Sequence, residues 1–391
     1  MQPRFIYYLL LVNLFANGIG YVPRILLESR HHGVFVAVAL AWLVGWAITT
    51  ASAMLFKRIP NTDMPSLWQS AFPKPLAGII IVVFAAEWLI AGTLNLFLVA
   101  EISSKYLNIG TPGTDIILLF ILLTLFAAHI ETPKALFALE LSLIISFPLV
   151  VLALLAALTQ QGLLWESVFR LLREVRVPRW LDVSAASYVY AGYLNLAWFN
   201  RIVTSDYPIR WMSIATAGVG VLYMLFFALP IALLGSEAVA LYHYPWINAA
   251  NALRIEHAPL ERAFYPVLIG YLNIAVLNTI VHWHVFLNFL RSLSPKQPTQ
   301  RRASSEKGSI GERLRSAFGR HWPSGVLSAY AFLVVPGVFR EWPMELIYQT
   351  SRLWFAQLIP AELFALGLGA WAVVRRDRSS GTKRRRRSTG A

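Results

Sequence analysis

Long apolar runs alternate with short polar joints along the chain, and ten of the runs approach the ~20 residues a helix needs to cross a bilayer. They cover about 5–27, 34–56, 77–100, 114–130, 135–158, 184–203, 211–235, 262–290, 323–340 and 353–374. The pattern predicts an all-α polytopic membrane protein with ten transmembrane helices. Two runs are interrupted. The first carries Asn17-Gly18-Ile19-Gly20-Tyr21-Val22-Pro23 in mid-span. Glycine loses the most backbone entropy in a helix, and proline lacks the N–H that the ladder requires. A break there leaves backbone groups unpaired at membrane depth, which is tolerated only against protein, water or a ligand. The sixth run, with Tyr188, Tyr190, Gly192, Tyr193, Asn195 and Asn200, is the other unusual one, too polar for a helix in lipid.

Ten runs divide as five plus five. An odd number per half makes the halves cross the membrane in opposite senses, as in inverted repeats, and each interrupted run is then the first of its half. The expected division is 1–158 for the first repeat, 159–183 for an interfacial connector and 184–375 for the second repeat. Within the second repeat, 236–261 is an outer loop and 291–322 a basic cytoplasmic loop; 376–391 is a basic, disordered tail. In the connector, Leu164, Val168, Leu172 and Val175 share a helical face, which predicts an amphipathic helix lying in the interface. The outer loop reads either as a folded connection or as a lid.

Charge sets the orientation. Of 391 residues, 57% are hydrophobic and only 14% charged, far below the usual quarter for a soluble domain. The net charge of +14 is concentrated in 291–322 and in the tail with Lys383 to Arg387. Placing both termini in the cytoplasm puts more than twice as many Lys and Arg on that side as on the other, as the positive-inside rule requires. The basic tail would favour anionic lipid, and nucleic acid is not needed to explain the charge. No cleavable leader is expected, because the first apolar run is too long and another follows at once. The absence of cysteine excludes disulfides and thiolate metal sites.

Ionisable and polar groups inside apolar runs are the candidates for function. Glu87 lies in the middle of the third run, with Asn95 two turns on; His282 and Tyr190 are its candidate partners. In the eighth run Asn278 and His282 share one face and Thr279 is adjacent. Their alternative reading is hydrogen bonding between helices. His282 and His284 cannot share a face, so no metal site and no cofactor is expected. No phosphate-cradling loop, nucleophile elbow or His-Glu-x-x-His is present, so the chain is read as a non-enzyme.

The chain resembles the GerAB-type B subunits of spore germinant receptors, in the amino acid–polyamine–organocation transporter superfamily. The likeness rests on Gly18-Ile-Gly20-Tyr-Val-Pro23, Gly33 opening the second run, Lys57-Arg58-Ile-Pro60 closing it, and Thr111-Pro112 before the fourth. It implies a LeuT-like fold, sensing of a small nutrient such as an amino acid, and assembly with A and C subunits in the inner membrane of the spore. It further implies a pocket among the first, third, sixth and eighth spans, at the Gly18–Gly20 break, the Glu87 region, the Gly192 region and Asn278–Thr279. The chain departs from the family where Leu194 follows Gly192-Tyr193 in place of the usual glutamate.

The candidate ligand-binding residues are therefore Asn17, Gly18, Gly20, Tyr21, Glu87, Tyr190, Gly192, Asn195, Asn278, Thr279 and His282. Free N–H groups at a half-helix N-terminus suit a carboxylate, and free carbonyls suit an ammonium group or a cation. The leading expectation is a ligand-sensing subunit. A secondary amino-acid transporter coupled to H⁺ or Na⁺ is the second reading, and a structural membrane subunit without a ligand the third.

Overall fold

A computed structural model describes residues 4–107, 110–203, 207–253, 263–294 and 321–388. Among these residues the structure is helical throughout, without strands. The first run forms α1 (Arg4–Ile19) and α2 (Tyr21–Glu28), bent by 51° about Gly20. Next come α3 (Val34–Arg58), the short α4 (Met64–Ala71), α5 (Lys74–Tyr106), α6 (Gly113–Ala128) and α7 (Thr132–Thr159). The connector contains α8 (Trp165–Arg173), and α9 (Trp180–Ser187) leads into the second interruption. There the chain winds as a 3₁₀ helix over Tyr188–Asn195, then as the single α-turn α10 (Leu196–Phe199). The remainder is α11 (Ile209–Leu234), α12 (Pro245–Ala252), α13 (Phe264–Ser292), α14 (His321–Glu341) and α15 (Met344–Ser388).

By length and composition, seven helices can cross a membrane, and the bent α1–α2 pair makes an eighth. The other two expected spans differ. The fourth run gives only the 16 residues of α6, and the sixth is divided among short α and 3₁₀ pieces. Large apolar side chains on the outer faces of α6 and α7, such as Leu119, Phe126, Leu141 and Ile144, remain exposed. A bilayer covers such faces; water would not tolerate a patch of that size.

Proline marks the bends. Pro336 lacks an N–H and frees a carbonyl one turn back, where α14 widens into a π turn over Tyr330–Val334. Gly33 enters α3 with φ of 72°, and a Cβ there would stand 2.3 Å from the Arg176 carbonyl oxygen. Only glycine satisfies both conditions.

Two expectations change, and a third, open between a folded connection and a lid, meets a folded segment. In α8 the buried residues are Ser167, Val168 and Leu171, whereas Leu164, Leu172 and Val175 are exposed. The helix starts at Trp165 and ends at Arg173, so the proposed face runs past both of its ends. The stretch expected as a disordered tail continues α15 to Ser388. The outer loop is folded in its first part. Trp246 on α12 is buried, donates to the Phe226 carbonyl at 2.8 Å and stacks on the Phe226 ring. The stretches 254–262 and 295–320 fall outside the described residues, and with them the last part of the outer loop and most of the basic loop.

Charged groups tie the outer ends together. Arg24 on α2 pairs with Glu345 on α15 at 2.6 Å and lies over the Tyr348 ring, while Arg352 reaches Glu28 at 3.3 Å. Asp182, fully buried, accepts from Arg179 at 2.8 Å and from the Ser29 hydroxyl at 2.6 Å, which anchors α9 to the end of α2. Nearby, Glu237 takes Arg30 and His31. The hydrogen bond from Arg30 holds its carboxyl below the usual range. A carboxyl with a depressed folded pKa contributes stability above its unfolded pKa and loses it as the pH falls through the folded value. The protection of amides in 235–242, taken relative to their intrinsic exchange rate at each pH, should therefore fall below about pH 4.5, a loss that Glu237→Gln abolishes. The pair is exposed, so the effect is small and salt-sensitive.

Candidate functional site

The second interruption is held from both sides. On the α1 side, Asn13 donates through Nδ2 to the Tyr188 and Val189 carbonyls, two groups at the start of the 3₁₀ segment. Asn17 then donates to the Asn13 carbonyl at 2.9 Å and to its side-chain oxygen at 3.1 Å. The asparagines form a ladder that docks α1 on the 3₁₀ helix. Gly192 allows that docking. A Cβ at this position would stand 2.2 Å from the Leu9 carbonyl oxygen and 2.8 Å from the Leu10 Cα.

On its other side the 3₁₀ helix faces α5, α13 and α15 across an open cavity with about 510 Å³ of empty space. Glu87, Trp88, Tyr188, Asn195, His282 and Glu362 give it its polar lining; Phe84, Trp354 and small apolar residues complete the wall.

Each polar group at the wall is positioned by a neighbour. Asn195 accepts from Trp88 Nε1 at 2.9 Å and donates to the Gly192 carbonyl at 3.1 Å. His282 Nδ1 lies 2.6 Å from the Asn278 carbonyl, which can only accept, so Nδ1 carries a proton. In the neutral ring Nε2 is then an acceptor, and the Tyr188 hydroxyl at 3.1 Å donates to it. Glu87 accepts from Trp354 Nε1 at 2.8 Å and Gln357 Nε2 at 2.9 Å. Glu362 accepts from the Tyr193 hydroxyl at 3.4 Å through one oxygen, and its other oxygen has no partner.

Three of the eleven residues singled out from sequence border this cavity: Glu87, Asn195 and His282. The other eight lie elsewhere. Gly18 and Gly20 are packed against side chains, Gly18 by the Phe226 and Tyr223 rings and Gly20 by Leu98. Tyr21, close by, is buried and its hydroxyl lacks a partner. Asn17 belongs to the ladder, and Gly192 to the contact with α1. Tyr190 packs across Gly45 and meets Tyr223 edge-on. Thr279 accepts from Asn95 at 2.7 Å and donates to the Ala275 carbonyl, so the α5–α13 bond absorbs it together with Asn95. Asn278 uses its carbonyl on His282 and leaves its side-chain nitrogen unpaired.

Glu87's partners are Trp354 and Gln357 of α15, neither His282 nor Tyr190. Asn13, Tyr188 and Glu362 carry much of the site without having been singled out as candidates. Two of them carried a signal: Asn13 stands one helical turn before Asn17, and Glu362 is a carboxylate inside an apolar span, the criterion applied to Glu87. Among the described residues no group of three His, Asp or Glu could hold a metal ion.

A family model described as spore germination protein, the spore permease family, matches residues 1–297. The chain belongs to this family. No curated protein matches it at a significant level. Among solved structures it is similar to the Eremococcus coleocola manganese transporter, in two crystal structures of substituted variants. The TM-scores are 0.51 and 0.50, each at 12% identity, covering 95% of this chain and 84% of the transporter. That likeness shows the fold alone. Family, fold and apolar helices together describe a multi-pass membrane protein of spore germination on a transporter-like scaffold.

Proposed function

We propose that the chain is the membrane subunit of a germinant receptor, which senses a small nutrient in the cavity beside the 3₁₀ segment and signals through partner subunits. The observation that carries this reading is the cavity itself. An interrupted helix, held from behind by Asn13, presents Tyr188 and Asn195 to carboxylates from two other helices. Intramembrane ionisable groups are costly and persist where they serve a ligand or an ion. A ligand that pulls on the 3₁₀ segment would bias its two neighbours, α1 and α9, and so change the surface offered to partners. In this reading α6 and the divided sixth run also span the membrane, giving ten spans as two inverted halves of five. Both termini are cytoplasmic, the membrane is the spore's inner membrane, and the partners are A and C subunits. The basic end of α15 lies against anionic lipid.

A second reading is secondary transport, and the paired carboxylates Glu87 and Glu362 favour it as seats for a coupling ion. One comparison separates the two. Spores carrying Asn195→Leu as their only copy should accumulate the protein yet lose at least about tenfold in nutrient sensitivity, the scale of one lost hydrogen bond to a ligand. Unchanged sensitivity means the cavity is not the sensor, and the chain is then a structural subunit. Uptake of labelled nutrient by the wild-type chain alone in liposomes would establish transport.

A further inference from the structure

The cavity's chemistry is one-sided. Among the described residues it is bordered by two carboxylates, Glu87 and Glu362, and by no lysine or arginine. Its donors have protein partners: Trp88 on Asn195, Trp354 on Glu87, Tyr188 on His282, and His282 on Asn278. Among the described residues, only the second N–H of Asn195 is left along the wall to receive the carboxylate of an amino acid. The unmet demand is for a donor. Glu362 is only 4% exposed, and one of its oxygens has no hydrogen-bond partner. A buried acceptor in that position is costly until a donor or a cation reaches it. The walls include the rings of Phe84, Trp88, Tyr188 and Trp354, which shelter an apolar body and can attract an organic cation where a ring face is offered.

We propose that the ligand of this cavity is an organic amine, bound as its ammonium ion between Glu362 and the aromatic wall, and not a zwitterionic amino acid. The proposal rests on the reading that this cavity is the sensing site, and it narrows the substrate class. The ammonium N–H groups supply the donor that Glu362 lacks, and the hydrocarbon part lies against Trp88 and Phe84. An amino acid presents the same ammonium but also a carboxylate, which would be set against two carboxylates with a single amide N–H, that of Asn195, to offset them. The cavity discriminates by that unpaired second charge.

The test uses the purified full chain in lipid nanodiscs and three probes of one shape: phenethylamine, phenylalanine and phenylacetate. Calorimetric titration should give saturable binding of phenethylamine, about tenfold or more tighter than phenylalanine, with phenylacetate silent. Glu362→Gln keeps an acceptor for Tyr193 but removes the charge, and should weaken phenethylamine by about tenfold or more. If that variant does not accumulate, Glu87→Gln should reduce affinity in the same direction, and the wild-type ranking decides by itself.

Equal affinity for phenylalanine and phenethylamine, unmoved by either variant, overturns the amine assignment while leaving the cavity as a nutrient site. Asn195→Leu spores that retain full nutrient sensitivity overturn the sensing reading instead, whatever the probes do. Silence of all three probes overturns the amine assignment and leaves the carboxylates as seats for a proton or an inorganic ion.

Discussion

Gly192→Ala should abolish accumulation of the folded protein. The methyl group would enter the backbone of α1, 2.2 Å from the Leu9 carbonyl oxygen and 2.8 Å from the Leu10 Cα. Backbone cannot rotate out of the way as a side chain can, so the 3₁₀ segment and α1 would have to separate. An added methylene in a packed core costs about 1–3 kcal/mol, and this position lies at or beyond the upper end. Separation also pulls Asn13 away from the Tyr188 and Val189 carbonyls. Gly218→Ala is the matched control. It lies on α11 with nothing within 4 Å of the new atom, and alanine is the better helix former. Detergent-extracted yield and melting temperature should fall sharply for the first variant and hold or rise for the second. Equal yields would show that α1 and the 3₁₀ helix are not in backbone contact.

Asn13→Leu has the next largest expected effect, and it acts through what it leaves behind. The two side chains are close in size, so packing is nearly preserved. The Tyr188 and Val189 carbonyls, however, lose their donor in a buried setting, and Asn17 loses one of its two acceptors. A buried group left unpaired costs about 1–3 kcal/mol, and polar contacts between membrane helices tend toward the low end of that range. The expected loss is therefore about 2 kcal/mol, with the 3₁₀ segment loosened at the end that carries Tyr188. Asn13→Asp should be worse, because it sets an acceptor against two acceptors. Thermal unfolding ranks the three proteins: wild type, then Leu, then Asp. Ligand response should fall in the same order, since Tyr188 positions His282.

Several features of the fold were legible along the chain. The bend at Gly20 follows from two glycines and a proline in an apolar run, whatever surrounds them. The second interruption was legible as polarity, but its form was not. Residues 188–195 keep helical dihedrals and wind as 3₁₀, with Asn13, 175 residues away from Tyr188, donating to the carbonyls at the start of that segment. No local signal encodes that partner.

The same limit applies to the site. Glu87, Asn195 and His282 were recognisable because ionisable and amide groups are rare inside apolar spans. Their convergence was not recognisable, and neither was the role of glycine. Gly18 and Gly20 mark the break, yet Phe226 and Leu98 occupy the space beside them. Gly192 looked like a point of unwinding and is a point of contact. Thr279 looked like a ligand and is bonded to Asn95.

By itself the sequence determined that the chain is helical and membrane-spanning, where its first helix breaks, and which few polar groups are buried at a cost. Those properties follow from hydropathy, backbone freedom and desolvation, which act residue by residue. The tertiary structure decided which polar groups pair with one another and which are left facing a cavity. It set the Gly18–Gly20 break against the Phe226 ring and Leu98, and brought α15, with Trp354 and Glu362, to the site beside Glu87. Pairing depends on how helices distant in sequence are laid side by side, so it belongs to the packed molecule and to no stretch of the chain.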